Sequence, residues 1–391
     1  MDGLAITPRR AVWTLGITQL IGYGCSSYLP ASLAAAQAKS LGVSTAFVFG
    51  AFSGALLLMG LLGPATGRAV DRHGARRPLA AGSIVLALAL IGMALAQSPA
   101  QLVAAWLVLG IGMALALYDI AFAGLVGWFG LEARRSITGV TLIAGFASTI
   151  AWPLTAWLEA THGWRVAALV WAGANLLIAL PLHLTLPRPA KTSHAEPADT
   201  TAEDEAEPPK HIALQMTLLA VALAVMSGIG SIMGAHLPPL LTGLGASAAA
   251  AVAAGMLVGP AQVAARLAEF VLVRRIHPLV SARVAVSLFP IGAALLLALG
   301  PLAAAPFAVL YGAGNGLFTI VRGTLPLVLF GKRNYGERLG ALSVASRLVG
   351  AVAPLLFALG LARSVEWSLG LLIAACVLAL GCLFALRKPA G

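Results

Sequence analysis

Twelve runs of about twenty apolar residues, parted by short polar loops, decide what this chain can fold into. The runs fall at 11–34, 45–67, 78–97, 101–128, 136–160 and 164–186, then at 211–241, 248–273, 281–299, 302–330, 339–362 and 367–386. Each is long enough to cross the hydrocarbon of a bilayer as a helix. The breaks at 98–100 and 300–301 are so short that they can only be turns. Sixty per cent of the residues are hydrophobic and 10% are charged. Soluble domains carry about 25% charged residues, so this chain needs lipid rather than water around it. Its 43 glycines suit helices that pack closely in lipid. The first run follows Arg9-Arg10 without a small-residue cleavage site and reads as an uncleaved first span. The three cysteines, Cys25, Cys376 and Cys382, lie inside apolar runs and offer neither a disulfide framework nor a metal spacing.

The net charge of +11 sits in the loops. With the N-terminus in the cytoplasm, Arg9, Arg10, Arg72, Arg76, Arg77, Arg134, Arg135, Arg274, Arg275, Lys332, Arg333, Arg387 and Lys388 all face inward. Lys39, Arg165 and Arg363 remain outside. This asymmetry is the positive-inside pattern and predicts a multi-pass inner-membrane protein with both termini cytoplasmic. No basic stripe interleaved with aromatics and no phosphate-cradling glycine loop is present, so nucleic acid is not the expected partner. Residues 187–210 gather Glu196, Asp199, Glu203, Asp204, Glu205 and Glu207 among Pro, Ala and Thr, the composition of a disordered cytoplasmic linker. The expected organisation is a six-helix half over 1–186, the linker over 187–210, and a second six-helix half over 211–391.

The halves echo each other. Gly110-x-Gly112 in span 4 recurs as Gly312-x-Gly314 in span 10. Phe129-Gly130 recurs as Phe330-Gly331, Gly139 as Gly340, and Pro153 as Pro354. Tyr28-Leu29-Pro30 in span 1 answers His236-Leu237-Pro238 in span 7. Such parallel repeats are one of the ways secondary transporters are built.

The loop after span 2 reads Gly67-Arg-Ala-Val-Asp71-Arg72-His-Gly74-Ala-Arg76-Arg77. It resembles the signature loop of the major facilitator superfamily, apart from Ala75, where a basic residue is common. A degenerate copy follows span 8, where Arg266-x-x-Glu269 with Arg274-Arg275 matches Arg68-x-x-Asp71 with Arg76-Arg77. The resemblance implies an all-α membrane protein of twelve transmembrane helices in two pseudo-symmetric bundles. It also implies alternating access, a substrate site between the halves near mid-membrane, and an inner gate. Gly67, Asp71, Arg72, Gly74, Arg76, Arg77 and Glu269 are the expected gate residues. Gly145, Pro153, Gly163-Trp164-Arg165 and Gln262-Val-Ala-Ala-Arg266 look more like the monocarboxylate and oxalate/formate branch, in which a span-8 Arg binds the substrate carboxylate. The chain departs from that branch at Gln262, where an Asp is frequent, and in lacking an evident span-1 lysine. Trp106 stands where many proton-coupled members have an Arg, and the Gly-Pro pair of drug/proton antiporters is missing from span 5.

Ionisable residues inside spans are costly and mark candidate sites. Here they are Asp119, Arg266, Glu269, Arg322 and Arg347. Arg266 is open to two readings, pairing with Glu269 as gate structure or binding substrate. Asp119 and Arg322 occupy near-equivalent places on spans 4 and 10 and can either neutralise each other or meet substrate. Arg347 requires an anion from protein or substrate. Tyr28 and His236 are symmetry-equivalent, and His236 is a candidate proton site beside a plain hydrogen-bonding role. Gln19, Tyr23, Asn315 and Thr319 are polar residues on cavity helices, each open to a packing role. Trp152 and Trp164 read as packing or interface aromatics.

The expected function is secondary active transport of a small organic anion. The alternatives are export of a hydrophobic or cationic compound with Asp119 as the key charge, and a non-transporting sensor on the same scaffold. No nucleotide motif, nucleophile or paired-carboxylate constellation points to an enzyme, and no cofactor is expected. A proton or an exchange anion would supply the energy, and a monomer is expected.

Overall fold

A computed structural model describes residues 6–187, 212–272, 277–361 and 363–386. The linker expected at 187–210 lies, but for residue 187, outside the described residues, as do Arg274, Arg275, Arg387 and Lys388 and the side chain of Trp152. The described residues are helical throughout, without strands. The helices are α1 (Pro8–Gly24), α2 (Leu29–Leu41), α3 (Thr45–His73), α4 (Arg76–Leu95), α5 (Pro99–Ala116), α6 (Tyr118–Phe129), α7 (Ala133–Ala144), α8 (Ala147–His162), α9 (Trp164–Ala174) and α10 (Leu180–Leu184). They continue as α11 (Ile212–Gly243), α12 (Ala248–Leu272), α13 (Pro278–Leu299), α14 (Ala304–Phe330), α15 (Tyr335–Leu361) and α16 (Val365–Ala385).

Nine stretches among the described residues are long and apolar enough to cross a membrane. Two of them, Pro99–His162 and Pro278–Phe330, each hold two spans. Span 1 completes the twelve; it is divided into pieces of 17 and 13 residues, neither long enough alone. Leu61, Leu177 and Leu302 are 64%, 79% and 87% exposed, as side chains that meet lipid tails should be.

The chain forms two compact units. The first runs to Ile212 and takes in Phe330–Gly340; the second holds Ala213–Leu329 and Ala341–Gly391. Within each, the repeated glycines serve the same end. A Cβ on Gly110 would lie 2.4 Å from the Ala55 carbonyl oxygen, and one on Gly112 would lie 2.9 Å from the Leu86 backbone nitrogen. In the second unit, Gly312 and Gly314 meet the carbonyl oxygens of Val258 and Ala285 at 2.6 and 2.7 Å in the same sense. Span 4 thus lies backbone to backbone on spans 2 and 3, and span 10 on spans 8 and 9. Lipid gives helices no hydrophobic reason to associate, so close backbone approach does that work.

The units differ where the repeat predicts likeness. Span 1 is broken over residues 25–28, span 4 at Leu117 and span 5 at Gly145-Phe146. Their counterparts α11, α14 and α15 run unbroken. Span 6 carries a π-helical turn at Asn175–Ala179, and Asn175 there donates to the Cys25 sulfur at 3.3 Å and the Trp171 carbonyl at 2.9 Å.

Arg165 staples one end of the first unit. Its guanidinium donates to Ser40 Oγ at 3.0 Å and to the Ala96 carbonyl at 2.9 Å, and lies 4.3 Å from the Trp164 ring centroid. Arg165→Ala is expected to cost about 1–3 kcal/mol through the two charge-assisted bonds. A thermal midpoint unchanged from wild type in detergent would show that the staple carries no load.

Candidate functional site

The signature loop follows the last turns of α3 and is fixed by the start of α15. Asp71 Oδ1 accepts from Gly336 N and Oδ2 from Glu337 N, both at 2.9 Å. The first amides of a helix have no partner within it and carry partial positive charge. A carboxylate from α3 therefore acts as an N-cap for α15. Arg68 adds an ion pair to Glu337 at 3.0 Å, although both side chains are substantially exposed and the pair is worth little alone. Two glycine pairs let the helices meet. A Cβ on Gly67 would lie 2.1 Å from the Gly336 carbonyl oxygen, and one on Gly340 would lie 2.2 Å from that of Gly63. Gly63-x-x-x-Gly67 thus crosses Gly336-x-x-x-Gly340, the small-residue spacing that membrane helices use to touch backbones.

Gly74 ends α3 with φ 72°, a conformation that favours glycine. Arg72 and Arg77 are exposed and Arg76 is half-buried. Ala75, the departure from the signature, is 1% exposed, and a Cβ on Gly124 would sit 2.5 Å from its methyl. A long basic side chain has no room there. Arg338 donates to the Phe330 carbonyl and closes the turn ahead of α15. Sequence reasoning missed Glu337 and Arg338, because the register of α15 against α3 is a tertiary fact.

In the second unit, three of the singled-out polar residues meet. Arg266 on α12 is 6% exposed. Its Nη2 donates to Gln262 Oε1 at 3.2 Å and to Thr319 Oγ1 on α14 at 3.3 Å. Its buried Nε has no partner. Thr319 in turn donates to the Asn315 carbonyl at 3.0 Å. Close approach of the two helices is set by Gly316, whose Cβ would lie 2.5 Å from the Gln262 carbonyl oxygen. Glu269 does not bond Arg266; its carboxylate accepts from the Ser281 hydroxyl at 3.0 and 2.9 Å. A guanidinium offers five N–H donors, and here the described oxygens bonded to it are neutral and both take Nη2.

Arg322 also donates to Ser343 Oγ at 2.9 Å. Asp119 lies in the first turn of α6. Arg347 is half-buried on α15. His236 Nε2 lies 3.1 Å from the Pro354 carbonyl and therefore donates to it, with the ring beside Phe357. Tyr28 stands at the N-terminus of α2, in the break of span 1. Tyr23 lies 4.6 Å from Tyr118, which stacks on Phe122 at 4.9 Å. Tyr118 was not apparent as a site residue, since nothing in its sequence neighbourhood announces the break beside it.

Twelve helical spans in two units, with an acid-capped crossing after span 2, define a polytopic membrane protein built as transporters are. The chain belongs to the Major Facilitator Superfamily, whose sequence profile matches residues 15–354. The fold is similar to the proton:xylose symporter XylE bound to 6-bromo-6-deoxy-D-glucose, with TM-score 0.75 and 16% identity over 97% of this chain and 96% of that one. It is equally similar to the human organic anion transporter MFSD10 (TETRAN), with TM-score 0.75 and 17% identity over 97% of this chain and 100% of that one. A 136-residue stretch is 35% identical to an uncharacterised 38 kDa protein in the 23S RNA operon of Thermoproteus tenax. That match spans 34% of this chain and 35% of the relative's length.

Proposed function

We propose that the protein is a secondary transporter of a small organic anion, working by alternating access in the inner membrane with both termini cytoplasmic. The observation that carries the substrate class is Arg266, a buried guanidinium whose partners are neutral oxygens and whose Nε has none. A buried cation without a counter-anion is costly, and a planar carboxylate relieves that cost with two parallel hydrogen bonds. Gln262, Asn315 and Thr319 supply polar neighbours, and Arg322 and Arg347 add positive charge within the same unit. Of the two fold neighbours, one is described as an organic anion transporter and the other as a sugar symporter, so the fold accepts either substrate. The Asp71 crossing serves as the inner gate in this reading.

A thermal-shift screen of detergent-purified protein against small mono- and dicarboxylates tests the class, because a specific ligand raises the unfolding midpoint by mass action. Stabilisation by sugars or organic cations but by no carboxylate would reject it. Topology is tested separately. Cysteines introduced at Thr200 and Gly243 should label from opposite faces of the membrane. The native cysteines are buried and give little background. Labelling of both sites from one face would overturn the assignment.

A further inference from the structure

The break in span 4 has no cause in its own stretch of sequence. Residues 113–121 contain neither proline nor glycine, the usual agents of a sharp kink. Leu117 nonetheless leaves the helix, with φ −86° and ψ −172°. Its neighbours hold it there. Gln19 of span 1 inserts its amide, and Nε2 donates to the Ala116 carbonyl at 2.6 Å. Gly22 gives room to the Leu117 side chain, which would lie 3.0 Å from a Cβ there. Gly82 of span 3 lies under the break, where a Cβ would stand 2.9 Å from both Ala116 N and Leu115 C. Three separate contacts from spans 1 and 3 thus hold the backbone out of the helix.

One atom at this break lacks a partner. Gln19 is fully buried and its Oε1 accepts no hydrogen bond. Exchanging the amide oxygen and nitrogen does not cure this, because it would set two acceptors against each other at Ala116. Further oxygen atoms that suit a cation lie close to the break along the chain. The last turn of α5 presents the carbonyl, negative end of a half-helix, and Asp119 brings a carboxylate two residues past the break. Unwound carbonyls and half-helix C-termini are how broken membrane helices hold alkali ions.

We propose that the break in span 4 binds a small alkali cation of sodium's size, with Gln19 Oε1, carbonyls of the last turn of α5 and the Asp119 carboxylate as ligands. The site belongs wholly to the first unit, so it stands or falls apart from the Arg266 reading. Where both hold, cation and anion occupy separate units of one carrier and symport follows.

The test is thermal unfolding of the purified full-length protein at fixed pH and ionic strength, with choline replaced stepwise by sodium, lithium or potassium through the millimolar range. Sodium should raise the midpoint along a saturation curve, with potassium much weaker. Asp119→Asn and Gln19→Leu should each weaken the apparent sodium affinity by at least about tenfold. An identical midpoint in sodium and choline overturns the proposal, and this arm needs no variant to fold. A sodium shift that survives unchanged in Asp119→Asn also overturns it. Sodium dependence of stability without any carboxylate effect would retain the cation site while rejecting the anion reading.

Discussion

Gly67→Ala is expected to abolish transport, by about a hundredfold or more, while the protein still inserts. The new methyl would meet the Gly336 carbonyl at 2.1 Å, and that atom is backbone, so no side chain can swing aside. The crossing of α3 on α15 must then open by a substantial fraction of an ångström, which also pulls Asp71 away from Gly336 and Glu337. Hydrogen bonds to a charged acceptor contribute about 1.5–3 kcal/mol each, and about 1.4 kcal/mol is tenfold in an equilibrium. Asp71→Asn should be milder, because one amide oxygen can keep one of the two bonds. A loss of about tenfold is expected there. Gly92→Ala is the matched control, since a Cβ there meets nothing within 4 Å. Uptake into proteoliposomes, normalised to inserted protein, reads all three. Normal uptake by Gly67→Ala would show that the crossing is dispensable.

Arg266→Lys carries the second large effect. Lysine keeps the charge but loses the planar fork, so anion uptake should fall by about 10–100-fold, the worth of one or two charge-assisted bonds. Arg347→Lys should weaken uptake in the same direction. Glu269→Gln is the control, because Arg266 does not bond Glu269 and the Gln amide oxygen keeps an acceptor for Ser281. It should fold and transport near normally. Should Glu269→Gln instead unfold the protein while both Arg→Lys variants transport as wild type, Arg266 is a structural residue and the anion binds elsewhere.

The sequence made the helical spans legible because lipid imposes so narrow a rule. Every backbone polar group must be satisfied within its span, so length and hydrophobicity alone place the helices. The small residues were legible too. Gly110, Gly112, Gly312 and Gly314 could be paired by spacing, and each proved to be a point of backbone contact. The signature loop identified the family because its Gly67 and Asp71 answer fixed physical needs, a close crossing and a helix N-terminus to cap.

Other features could not be read in one dimension. The match between Arg266-x-x-Glu269 and Arg68-x-x-Asp71 suggested that Arg266 and Glu269 pair, yet Arg266 donates to Gln262 and Thr319, and Glu269 accepts from Ser281 on another helix. The partner of His236 is another such feature, since its Nε2 donates to the Pro354 carbonyl, 118 residues away. The repeat foretold two like halves, whereas spans 1, 4 and 5 break and spans 7, 10 and 11 do not. Span composition fixes which segments enter the bilayer, since that depends on transfer from water to lipid. Whether a helix persists through its middle depends on what a neighbour inserts into its ladder. At Leu117 that neighbour is Gln19, 97 residues away from the carbonyl it takes.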